Sequence, residues 1–137
     1  MDETIRASGH ENVSAKHAST FELTSDDYLT PAGDCILGIE ADRVPAEFDD
    51  AFVEACQDSE ATITATLEAG GHETTITGRG DPEMTFENEG SLVGRTSEYV
   101  DDRTVMVEAD AAAGDLDRDL VRALADGAAV TLTLSVE

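Results

Sequence analysis

Apolar and polar residues alternate along this chain with a period that changes several times, and each change marks an element. Val13, Ala15, His17, Ser19, Phe21 and Leu23 alternate with Ser14, Lys16, Ala18, Thr20 and Glu22, the period of two expected of a half-buried strand. Ser25-Asp26-Asp27 breaks the pattern, and Thr30-Pro31-Ala32-Gly33-Asp34 reads as a turn. Cys35-Ile36-Leu37-Gly38-Ile39 is a short continuous apolar run, read as a strand covered on both faces. Between Pro45 and Asp58 the period becomes 3.6: Phe48, Ala51, Phe52, Ala55 and Cys56 form one apolar stripe of a helix over about residues 47–57. Pro45 and the early acids Glu47, Asp49 and Asp50 suit its N-terminus.

Ala61 to Glu68 and His72 to Gly78 are Thr-rich alternating runs joined at Gly70-Gly71, the pattern of a β-hairpin whose first strand turns Ile63, Ala65 and Leu67 inward. Gly78-Arg79-Gly80-Asp81-Pro82 reads as a loop, Ser91 to Arg95 as a short strand, and Thr104 to Ala109 as a stronger one. Leu116, Leu120, Ala123 and Leu124 give a second helix over about residues 115–126, with Asp110 or Asp115 as its N-cap and Gly127 closing its C-terminus. Val130, Leu132, Leu134 and Val136 alternate with Thr131, Thr133 and Ser135 in the cleanest strand. Many strands with only two helices predict a mainly β chain, an antiparallel sandwich or barrel rather than a parallel α/β fold. Residues 1–137 read as one domain, with no internal repeat.

Composition alters this picture mainly through charge. Thirty-one acids against eight bases leave a net charge of -23, and Lys16 is the sole lysine. Depletion of lysine with excess carboxylate is the pattern favoured by a salt-filled cytoplasm. At several molar salt the Debye length is below about 3 Å, so the acids no longer repel one another at long range. Net charge therefore describes the solvent more than the partner; it gives nucleic acid no support, though high salt would mask the repulsion. Aromatics make up 4% of the chain and tryptophan is absent, so the core must be aliphatic. No apolar run approaches a membrane span, and the charged start from Met1 to Arg6 is unlike a signal peptide, which points to a cytoplasmic protein. Cys35 and Cys56 fall on different elements and read as packed thiols.

Several positions carry candidate chemistry. His10 and His17 with Asp34 or Cys35 form the basis of a metal set, and His10, His17 and Cys35 its minimal form. Seven residues apart on one strand, however, the two rings would face opposite ways unless Gly9 to Asn12 is a bulge or turn, and the favoured reading makes His17 a hydrogen-bonded core residue and His10 a surface or turn residue. Cys35 beside Asp34, with a histidine to activate it, is the one nucleophile arrangement. Arg79 between two glycines is an anion hook or a turn arginine paired with Asp81. Arg103 and Asp110 flank a strand and Arg118 lies on the following helix, which reads as a structural Arg-Asp pair locking helix to strand; Arg79, Arg103 and Arg118 would instead bind an anion if they converge with His10, Asn12 and His17.

Taken together, Gly9-His10-Glu11-Asn12-Val13 with His17, Gly33-Asp34-Cys35-Ile36, Gly78-Arg79-Gly80, Arg103-Thr104-Val105-Met106 and Ala109-Asp110-Ala111-Ala112 resemble segments of an archaeal family catalogued as domain of unknown function 371. The resemblance runs from about Arg6 to the C-terminus, and the composition fits a haloarchaeal-type member. It implies a jelly-roll-like β-sandwich and carries over no activity or cofactor. Asp81 stands where the family pattern places a histidine, and Asp101 or Asp102 where a cysteine is common. Three function classes follow: a binding module for an anionic small molecule or phosphate-bearing partner, with His10, Asn12, His17, Asp34, Arg79, Arg103 and Asp110 as candidate contacts; a metal-dependent or Cys/His enzyme; and an assembly subunit with no catalytic site. The first is favoured, and it expects Arg79, His10 and Asn12 to line one pocket.

Overall fold

In the computed structural model, which describes all residues from Met1 to Glu137, eight strands form two four-stranded sheets. The strands are β1 (Asp2–Ser8), β2 (Thr20–Thr24), β3 (Ile36–Gly38), β4 (Thr62–Ala69), β5 (His72–Arg79), β6 (Ser91–Arg95), β7 (Thr104–Met106) and β8 (Ala129–Val136), with helices α1 (Asp50–Cys56) and α2 (Arg118–Ala125). One sheet runs β1-β8-β4-β5 and the other β3-β2-β6-β7. The mainly β expectation with two helices holds, but β2–β3 and β6–β7 pair in parallel, so the second sheet is mixed rather than antiparallel throughout. Phe21, Leu23 and Leu37 from that sheet meet Ala65, Leu67, Ile76 and Leu132 from the other, within one contiguous core of 35 buried residues.

The second half of the chain repeats the first. Each half runs strand, strand, short strand, 3-10 turn, helix, strand: β1, β2, β3, Pro45–Glu47, α1, β4, then β5, β6, β7, Ala113–Asp115, α2, β8. Exchanging the halves maps each sheet order onto itself reversed, so a pseudo-two-fold axis passes between β4 and β8 and between β2 and β6. Small details obey it. All four non-glycine residues with positive φ fall in two equivalent pairs, Ala15 with Phe86 and Glu40 with Glu108. The bridge Ser8–Ile39 matches Arg79–Val107. This overturns the expectation of no internal repeat. The signal lay in Ile39-Glu40-Ala41-Asp42 against Val107-Glu108-Ala109-Asp110, hidden because the segment before β3 is longer than the one before β7 and most other equivalent side chains differ.

Further corrections follow from what the loops bond to. Residues 13–19 alternate but are not strand; β2 begins at Thr20, because Lys16 and His17 give their amides to the Asp34 carbonyl rather than to a ladder. The charged N-terminus forms β1 along β8, with Ile5 and Ala7 inward and Glu3 buried against Arg43 and the Asp49 amide. Helix α1 starts at Asp50 after the 3-10 turn, and Asp117, not Asp110 or Asp115, caps α2 by accepting from Asp119 at 2.7 Å. The hairpin is as expected: Gly70 and Gly71 both have positive φ, +57° and +81°, the conformation of a tight two-residue turn. No helix is long and apolar enough to cross a membrane.

Candidate functional site

The repeat explains the histidines. His10 Nδ1 accepts from the Asn12 amide at 3.0 Å; at the equivalent place in the second half, Asp81 Oδ1 accepts from the Glu83 amide at 2.9 Å. His17 Nδ1 accepts from the amides of Ser19 at 3.3 Å and Thr20 at 3.2 Å, and its equivalent Asn88 accepts through Oδ1 from the amides of Gly90 and Ser91, both at 2.8 Å. In His, Asn and Asp alike, the acceptor atom is two bonds from Cβ, so imidazole Nδ1 can close the same local turn as a carboxamide or carboxylate oxygen. Both histidines therefore work as turn caps. Asp81 does in the second half the work that His10 does in the first.

The glycines beside them are required by close approach. A Cβ on Gly9 would overlap the Leu124 carbonyl at the end of α2, and one on Gly80 would overlap the Cys56 carbonyl at the end of α1. The following amides complete these joints, His10 to Leu124 O at 3.0 Å and Asp81 to Cys56 O at 3.1 Å. The His10 turn thus packs on α2 and the Arg79–Asp81 turn on α1. None of the three cavities is lined by His10, Asn12 or Arg79, and the turns that carry them rest on different helices. Asn12 is turned to the Leu29 carbonyl at 2.7 Å. The Asp34 carbonyl holds Lys16 and His17.

Arg79 meets three carboxylates: Glu108 at 2.7 Å, Asp81 at 3.3 Å and Glu98 at 3.5 Å. The hydrogen bond to Glu108 raises its pKa further, so the guanidinium is fixed and outnumbered by acid. Asp110 accepts from the Thr77 amide at 3.0 Å, as Asp42 accepts from the Arg6 amide at 2.8 Å; each latches one edge strand. Arg118 donates to the carbonyls of Ala15, Ala113 and Leu116 among others, clamping the segment after His10 to α2. Its equivalent, Asp50, is an acid and has no such role.

A different group of polar side chains gathers on the outer face of the β3-β2-β6-β7 sheet. With Phe21 and Leu23 turned to the core, Glu22 points outward, as do its cross-strand neighbour Val93 and the pair Thr20–Arg95. Arg95 is buried to all but 10% of its side chain. Its Nε donates to Thr104 Oγ1 at 3.0 Å and its Nη2 to Asp101 Oδ2 at 2.8 Å. Arg103 reaches the same oxygen through Nε at 3.2 Å and Nη2 at 3.0 Å. Two guanidinium groups thus share one carboxylate, and neither Nη1 donates to any protein atom within hydrogen-bond range. Burial opposes ionisation of Asp101, but the hydrogen bonds from Arg103, Thr104 and Arg95 outweigh it and hold the carboxyl at about 2. Tyr99 lies over Arg95, with the guanidinium carbon 4.8 Å from the ring centroid.

Cys35 borders this face, its thiol donating to Glu22 Oε1 at 3.5 Å. Burial, then the Glu22 charge, pushes its pKa up to about 11, and burial pushes Cys56 to about 12. Burial and the neighbouring Glu22 thus disfavour the Cys35 thiolate, and the side chain that the thiol meets is this acid and not a histidine. No three His, Cys, Asp or Glu side chains converge at metal-ligand spacing, and the set His10, His17 and Cys35 is not assembled. Of the expected contacts only Arg103 belongs to the outer-face cluster, with His17 linked to its border through Thr20 Oγ1 at 3.1 Å. Arg95, Tyr99 and Asp101 were not anticipated; the spacing of Arg95 and Arg103 around an acidic turn was their one signal. Two open depressions, of about 320 Å³ beside Ser25, Val44 and Glu89 and about 390 Å³ beside Met1 and Ala51, are lined by no base.

Comparison with known proteins adds the family. An uncharacterized protein of Methanocaldococcus jannaschii, MJ0206, is 39% identical over 127 residues, covering 93% of each chain. Residues 5–137 match the family described as Domain of unknown function (DUF371), and with this extent of match on both counts the chain belongs to that family.

Proposed function

We propose that the protein is a non-catalytic binding module whose ligand is an anionic small molecule or a phosphate-bearing partner, held on the outer face of the β3-β2-β6-β7 sheet. The observation that carries this reading is the Arg95–Asp101–Arg103 cluster: two guanidinium groups on one carboxylate, each with a free Nη1. Arg43, Arg79 and Arg122 each pair with at least one carboxylate that no other arginine shares and Arg118 with main-chain carbonyls, whereas Arg95 and Arg103 divide the single Asp101 carboxylate between them. Arg95 is held on its edge by Thr104 and Asp101, so it is ordered before any ligand arrives, which lowers the entropy lost on binding. Two facing sheets, read as a sandwich, supply the rigid platform. We place the module in the cytoplasm of a salt-loaded cell, where screening removes the long-range repulsion between an acidic protein and an anion.

The test is titration of the isotope-labelled protein with inorganic phosphate against chloride at matched ionic strength, followed by amide and arginine side-chain NMR. Shifts confined to Arg95, Asp101, Arg103 and their neighbours, lost in Arg103→Ala, are expected. Shifts that instead centre on His10, His17 or Arg79, or none at all, sink the reading.

A further inference from the structure

The chain has two tyrosines, no tryptophan and four phenylalanines. All four phenylalanines are buried, whereas Tyr28 and Tyr99 are each 61% exposed. The two tyrosines occupy equivalent places in the repeat, after β2 and after β6, but their surroundings differ. Beneath Tyr99 lies Arg95, 4.8 Å from the ring centroid, gripped along its edge by Asp101 and Thr104. The residue equivalent to Arg95 in the first half is Thr24, so Tyr28 has no cation below it. One face of the Tyr99 ring is therefore backed by a fixed positive charge while the other is open to solvent. A ring with a cation on one face is electron-poor on the opposite face, and an electron-rich planar heterocycle stacks there favourably. Arg103 is tied to Arg95 through the shared Asp101 oxygen, which puts a second guanidinium, with Nη1 free, beside the same platform.

Resting on the anion-binding reading above, we propose that the ligand is a nucleoside monophosphate, its base stacked on Tyr99 and its phosphate on Arg103. A single-stranded polynucleotide fits less well. Tyr99 is the one exposed aromatic ring with a guanidinium beneath it, so the surface provides for one base and one phosphate and not for a run of stacked bases along a strand.

The experiment uses the full chain at constant molar potassium chloride with five probes: inorganic phosphate, ribose phosphate, adenosine, adenosine monophosphate and a polyadenylate strand. Tyrosine ring proton resonances are read by NMR, with Tyr28 as internal control. Adenosine monophosphate should move the Tyr99 ring signals upfield, leave those of Tyr28 in place, and bind on the order of tenfold tighter than inorganic phosphate, equivalent to about 1.4 kcal/mol. Tyr99→Ala should reduce its affinity to that of ribose phosphate, and Tyr28→Ala should not. Should phosphate bind at Arg103 while the nucleotide binds no tighter and Tyr99 is unmoved, the nucleotide assignment fails and the anion site stands. Binding of neither overturns both. A polyadenylate strand that binds more tightly per site than the mononucleotide would replace the small ligand with nucleic acid.

Discussion

Replacing His17 separates a turn cap from a ligand. In the wild type, Nδ1 takes the amides of Ser19 and Thr20 and lies 3.1 Å from Thr20 Oγ1. His17→Ala leaves these groups without their acceptor. Ser19 is exposed and rehydrates readily, but Thr20 is half-buried at the start of β2, so its amide is desolvated at a net cost near one hydrogen bond. Loss of such a cap costs about 1 kcal/mol, which in a domain of this size lowers Tm by roughly 4 °C. His17→Asn carries an acceptor at the same bond distance from Cβ, and Asn88 already makes the corresponding pair of bonds at 2.8 Å. It should recover all but about 0.5 kcal/mol. Denaturant unfolding at fixed salt, followed by circular dichroism, measures both variants. Equal destabilisation by Ala and Asn would refute the cap, since the imidazole would then contribute something no Asx side chain can. Loss of phosphate binding in His17→Asn with stability intact would return His17 to the ligand site.

Other expectations follow from the same geometry. Gly80→Ala should destabilise by more than about 2 kcal/mol or block folding, because its Cβ meets the Cys56 carbonyl; Gly71→Ala, with open space around it and only a positive φ to oppose it, should cost about 1 kcal/mol. Urea melts of the two variants give the contrast. Asp101 has a folded pKa of about 2 against an ordinary 3.8, so its contribution is fully present above pH 3.8 and is lost as pH falls through about 2. Solvent screening of a partly exposed side chain limits that contribution to about 1 kcal/mol. The stability difference between wild type and Asp101→Asn, followed by acid titration, should shrink across that window and stay flat above it. At pH 8 Cys35, with its pKa near 11, should react with iodoacetamide roughly a hundredfold more slowly than an ordinary thiol; a rate like that of free cysteine, read by mass spectrometry, contradicts the burial argument.

The sequence alone was enough for elements whose pattern is local. The β4–β5 hairpin needs two residues at positive φ between alternating strands, and Gly70-Gly71 announces it. The stripes of α1 and α2 and the alternation of β8 required no distant partner to be read. Asymmetric features escaped because long-range bonds decide them. Residues 13–19 have strand periodicity, yet the Asp34 carbonyl captures their amides, and the charged start of the chain becomes β1 because β8 offers it an edge. The repeat was faint in the letters because the two halves keep a backbone and exchange its side chains: His10 for Asp81, His17 for Asn88, Thr24 for Arg95. A histidine stands out in a sequence because it can do chemistry, whereas folding here uses it for the reach of one ring nitrogen. Only the tertiary structure set Arg95 and Arg103 on one aspartate beneath an open tyrosine ring. Strand pairing and the turn from Thr96 to Arg103 bring those groups together, a meeting at which the spacing of the two arginines around an acidic turn only hints.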